Sequence, residues 1–69
     1  MTTNQALDQY LSSLNRRELI AKSRDIREEL GVSRAVLSNW RRGKTKLRVI
    51  FLDKISEILG VDLSANVGK

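Results

Sequence analysis

The 69-residue sequence predicts an all-α fold, a compact bundle of four or five short helices. Three observations carry that prediction. The chain has no proline and only four glycines, so little interrupts a helix. Leu, Ile, Arg and Glu are abundant, and apolar residues recur at three- and four-residue spacing, with no strict alternation of the kind a half-buried strand shows. Residue types that start or stop helices, among them Asn15, Gly31, Ser33, Gly43 and Gly60, fall between the apolar stretches.

The first helix is expected over about Asn4–Ser13, with Leu7, Leu11 and Leu14 on one face and Tyr10 beside them. Asn15 then reads as an N-cap, with Glu18 three positions on as its capping-box partner. The segment Arg16–Leu30 keeps Leu19, Ile26 and Leu30 on one face. It fits one helix, or two broken near Lys22–Ser23, because Ser23 is itself a fair N-cap. Gly31 supplies the left-handed conformation that ends a helix without steric cost. Ser33 caps the next helix, Arg34 to about Arg42, with Val36, Leu37 and Trp40 inward and Gly43 as its stop. The last long helix is expected at about Leu47–Leu59, carrying Phe51, Leu52, Ile55, Ile58 and Leu59, with Gly60 after it. Residues 62–69 read as a short turn and a frayed tail, so the whole of 1–69 is one domain.

Size and composition exclude several functions. A chain this short buries only about 60 % of the surface its unfolded form exposes. Its 28 apolar residues make one modest core and leave none for a substrate cavity. With no cysteine there is no disulfide and no thiolate metal site, and with no histidine the commonest general base and metal ligand are missing. Glu28 and Glu29 are adjacent carboxylates, but neighbouring helical positions point about 100° apart and converge poorly. No catalytic residue, metal or cofactor is expected. The longest apolar run, Val49 to Leu52, falls far short of the roughly 20 residues of a membrane span. Met1 to Tyr10 carries no basic stretch ahead of an apolar one, so the expectation is a cytoplasmic protein without membrane contact.

Charge is the most informative feature. The net charge is +5, and its distribution is uneven. Between Ser33 and Arg48 lie six basic residues and no acidic one, while the remaining residues hold seven basic against eight acidic. An ordinary solvated helix face intersperses both signs. The acid-free segment therefore points to an anionic partner. Trp40 reads as a core anchor, and no other aromatic interleaves the basic cluster, which disfavours single-stranded nucleic acid.

Two helices joined through Leu30-Gly31-Val32-Ser33 have the spacing of a helix-turn-helix over about residues 22–43. Ile26 and Leu30 hold the first helix, Gly31 makes the tight turn, Val32 plugs the corner, and Leu37 with Trp40 buries the second helix. Arg34, Ala35, Ser38 and Asn39 are then left facing outward.

The stretch IREELGVSRAVLSNWRRGKTK, followed by FLDKISEILGVDL, resembles the lambda-repressor-like, Cro and phage-repressor family. The likeness covers roughly Lys22 to Leu63 and rests on the Leu-Gly-Val-Ser turn, the Ser-Asn-Trp near the end of the second helix and the Gly-Lys-Thr-Lys loop. It departs at Arg27, where the family usually carries alanine, and in the length of Asn15–Lys22. An arginine at that helix crossing must run its methylenes outward to reach water. The resemblance implies sequence-specific binding of double-stranded DNA, with the Ser33–Arg42 helix in the major groove. Ser33, Arg34, Ala35, Ser38 and Asn39 would stand at base edges, and Ser23, Arg41, Arg42, Lys44, Lys46 and Arg48 at phosphates. It further implies a small Cro-like repressor acting by occlusion, as a homodimer formed around Val49–Ile50 and Val61–Val67. A protein-interaction module on the same fold, a phage modulator or antitoxin with a protein partner, is the rival reading.

Overall fold

The computed structural model describes residues 1–67. In order they form α1 (Thr3–Ser12), α2 (Arg16–Leu30), α3 (Arg34–Arg42), α4 (Val49–Leu59) and a single 3-10 turn, Ser64–Asn66. The final residues of the expected frayed tail, 68 and 69, lie outside the described residues.

Local chemistry sets each boundary. At α1 the Thr2 hydroxyl accepts from the Gln5 amide at 3.1 Å, while the Gln5 side chain accepts from the Thr2 amide at 2.9 Å. That reciprocal pair is a full capping box, and the sequence reading did not place one there. At Asn15 the side chain accepts from the Glu18 amide at 2.8 Å, as expected. The Glu18 carboxylate, however, accepts from the Asn15 side-chain amide at 3.0 Å rather than from its backbone, so this cap is not reciprocal in the usual sense.

The segment Arg16–Leu30 is one unbroken helix, and Ser23 caps nothing. Leu19, Ile26 and Leu30 share one face, so continuity lets all three pack on the core together. Gly31 ends α2 at φ 69°, ψ 31°, and the Val32 amide donates back to the Arg27 carbonyl at 3.1 Å. Ser33 caps α3 through its hydroxyl and the Val36 amide, and Gly43 closes the helix at φ 76°. The last helix begins at Val49, two residues later than the expected Leu47. Leu47 is fully buried, yet it sits in the loop ahead of the helix.

One core unites the helices. Leu7 and Leu11 of α1, Ile26 of α2, Leu37 and Trp40 of α3, and Leu52, Ile55 and Leu59 of α4 meet there with Leu47 and Leu63. A fully buried Leu or Ile contributes about 1.5–3 kcal/mol over its exposed state. The Trp40 and Phe51 rings lie tilted at 33° with centroids 5.7 Å apart, tying α3 to α4. The contacts of α1 are broadest with α3, so α1 forms the back wall against which α3 rests.

Candidate nucleic-acid interface

The orientation of α3 follows from its two buried side chains. Leu37 and Trp40 point into the core, and the residues between and beyond them are turned away from it. Arg34, Ala35 and Arg42 are exposed, as is Ser33 at the cap; Ser38 and Asn39 are half-buried. The five residues expected at base edges therefore lie together at the outer side of one nine-residue helix and its cap. The Ser33 hydroxyl oxygen is engaged by the Val36 amide at 3.2 Å, which leaves its O–H to donate outward.

The basic loop from Gly43 to Arg48 continues that surface. Lys44, Thr45, Lys46 and Arg48 are all exposed. What fixes the loop comes from α1, and sequence reasoning missed it. The Asn4 side-chain amide donates to the carbonyls of Trp40 and Thr45, each at 2.8 Å, and its oxygen accepts from the Leu47 amide at 3.2 Å. Beside it the buried Thr3 hydroxyl donates to the Leu47 carbonyl. Asn4 and Thr3 thus staple the end of α3 and the loop after it to the first turn of α1. These partners lie 36 to 44 residues apart in the chain, so no local pattern announces them.

Arg41 behaves differently from the other expected phosphate contacts. Its Nε donates to Asp8 at 2.9 Å and its Nη2 to Ser12 at 3.2 Å, and the guanidinium is half-buried against α1. Arg42, Lys44, Lys46 and Arg48 have no such ion pair among the described residues. Ser23 lies half-buried on α2, lining a cleft between α2 and α3 that Arg27 also lines. The arginine that departs from the family pattern thus reaches a cleft shared with α3, and α3 keeps the expected register. Of the apolar residues expected at a dimer surface, Val49 and Ile50 are 58 % and 60 % exposed. Val61 and Val67 pack instead against the edge of the core.

Two helices joined by a left-handed glycine, the second turning a polar and cationic face to solvent, make a helix-turn-helix, and residues 15–66 match the family model described as Helix-turn-helix. The chain belongs to the helix-turn-helix family, in its lambda-repressor-like, Cro and phage-repressor branch. No curated protein and no solved structure matches it significantly. In helix-turn-helix terms α2 is the supporting helix and α3 the recognition helix. The matched span begins at Asn15, so α1, which carries the Asn4 and Asp8 contacts, lies outside it. Among the described residues no helix is long and apolar enough to cross a membrane.

Proposed function

We propose that this helix-turn-helix domain is a sequence-specific regulator of transcription that binds double-stranded DNA and acts as a small Cro-like repressor in the cytoplasm. The observation that carries the reading is the pairing of a buried Leu37–Trp40 anchor with an outward Arg34, Ala35, Ser38 and Asn39 face beside an acid-free loop. Arg34 can donate two bonds to guanine O6 and N7, Asn39 can pair with adenine, and the Ala35 methyl can meet a thymine methyl. Arg42, Lys44, Lys46 and Arg48 neutralise phosphates on either side. A helix seated in the major groove denies that groove to other proteins, so occlusion needs no further device.

Val49 and Ile50 support a homodimer on DNA. Two large apolar side chains exposed at the start of α4 give a small self-complementary patch, enough for pairing when an inverted repeat holds both protomers in place. The test is selection of bound duplexes from a random pool, followed by affinity measurements at several salt concentrations. Selected sites show two related half-sites about 10–10.5 base pairs apart. With four free cations per protomer, log K falls against log salt with a slope of about −3 to −4 per protomer, at about −0.9 per phosphate. Arg34→Ala costs about 1–3 kcal/mol at the selected site and relaxes one base position. No binding to any duplex at low salt would refute the reading.

A further inference from the structure

The surface cleft between α2 and α3 has a volume of about 720 Å³, within the roughly 300–1,000 Å³ of small-molecule sites. Its lining is of two kinds. The polar part is the guanidiniums of Arg27, Arg34 and Arg42 with the hydroxyls of Ser23 and Ser38. The aliphatic part is Leu19 and Ile20 from α2 and Leu37 from α3; Leu37 belongs to the buried core, so it serves as floor. Asp8 is the one carboxylate among the lining residues, and Arg41 already holds it at 2.9 Å.

Among the described residues Arg27, Arg34 and Arg42 pair with no carboxylate. Three like charges around one cleft repel one another, and an opening lined by one sign of charge concentrates the field within it. An anion seated there relieves that repulsion. A DNA strand answers only half of the lining. The duplex keeps its bases stacked and turns sugar and phosphate outward, so a passing strand brings nothing flat for the Leu19 and Leu37 floor. A small molecule that joins phosphate to an aromatic ring uses both halves. Guanidiniums take phosphate oxygens two at a time, and serine hydroxyls add single bonds. The ring lies on the aliphatic side chains, where an arginine plane stacks on it.

We propose that the cleft binds a small phosphorylated aromatic molecule of the nucleotide kind, and that this molecule and DNA exclude each other because both need Arg34 and Arg42. The exclusion rests on the DNA-binding reading above, whereas the binding itself does not. Such a ligand is a release signal for the regulator.

The experiment titrates the full chain with adenosine diphosphate, adenosine and inorganic pyrophosphate by isothermal calorimetry at about 0.15 M salt, where diffuse attraction is screened beyond about 8 Å. Adenosine diphosphate is expected to bind one-to-one with a Kd below about 1 mM, at least about tenfold tighter than adenosine or pyrophosphate. Arg27→Gln weakens it by about tenfold, through the lost charge-assisted bonds. Arg17→Gln, an equal loss of charge outside the cleft, leaves it unchanged. Circular dichroism confirms that both variants keep their helices. In fluorescence anisotropy the nucleotide displaces a labelled duplex with an inhibition constant equal to its calorimetric Kd. Equal affinity for pyrophosphate and the nucleotide, or an equal loss in the two variants, means a diffuse basic surface and overturns the proposal. A nucleotide bound together with the duplex overturns it as well. Wild type that binds no duplex overturns the DNA reading, and calorimetry then decides the site by itself.

Discussion

Asn4→Ala tests the most consequential contact outside the recognition motif. Among the described residues Asn4 is the one side chain that bonds the last turn of α3, the middle of the basic loop and Leu47, two residues before α4, together. The geometry asks for two donors and one acceptor within a single short planar group. Asparagine supplies that set, aspartate lacks the donors, and alanine lacks all three. The Trp40 carbonyl keeps a second partner, the Gly43 amide at 3.2 Å, and the Thr45 carbonyl stands near water. At about 1 kcal/mol net per hydrogen bond, with part of the loss recovered from solvent, the substitution should cost about 2 kcal/mol. Against a total of roughly 3–10 kcal/mol for a domain of this size, that is a large share. It corresponds to a fall in Tm of about 8–16 °C.

Asn4→Asp should fall at least as far, because its carboxylate would face two carbonyl oxygens. Thermal melts by circular dichroism give the stability. Duplex binding, measured well below the transition, gives the functional effect: weaker affinity for every sequence, through a loosened Lys44–Lys46 loop, with site preference retained. A Tm within 2 °C of wild type for Asn4→Ala, against the shift reckoned at about 1 kcal/mol per bond, would show that Leu47 and Trp40 hold the loop unaided.

Asp8→Ala removes the partner of Arg41. The two side chains are 44 % and 28 % exposed, so the stability cost, read by urea denaturation, stays under about 1 kcal/mol. The same change frees Arg41 and steepens the salt dependence of duplex binding by up to about one unit of slope. Leu37→Ala opens a cavity beneath the recognition helix and costs about 2–5 kcal/mol by urea denaturation, a large share of the domain's total stability. A Leu37→Ala protein as stable as wild type would mean that α3 is anchored by Trp40 alone.

Most of the fold was legible because its punctuation is local. Gly31, Gly43 and Gly60 stop three helices in the left-handed conformation, and each stands within three residues of the last inward apolar side chain of its helix, Leu30, Trp40 and Leu59. Ser33 and Asn15 cap as their types predict. Where the sequence misled, local signals had competed with burial. Leu47 keeps helical spacing with Phe51 and so reads as the start of α4, yet it serves the core from an extended loop. No capping side chain marks the true start, since Arg48 holds the N-cap position without a side-chain bond. Ser23 looked like a cap, but one continuous apolar face on α2 outweighed it. Thr2 and Gln5 stand at the same spacing as Asn15 and Glu18, and a first helix expected from Asn4 leaves their capping box out.

The site was legible in kind and less so in detail, for a reason that Arg41 illustrates. The sequence shows how many cations sit in a segment, and the fold decides which of them are free. Arg41 and Arg42 are neighbours of the same type, and nothing within the segment separates them. Helical geometry turns them about 100° apart, one toward α1 and one toward solvent. Asp8 then completes what the turn begins, lending Arg41 to the packing of α1 on α3. Asn4 acts on the same segment in the opposite sense: it binds only backbone, and so holds the loop while leaving the Lys44 and Lys46 side chains exposed. Both residues belong to the helix that lies outside the matched family span. The charge that suits this protein to DNA is written in residues 33–48, but the share of it available to a ligand is set by the first helix.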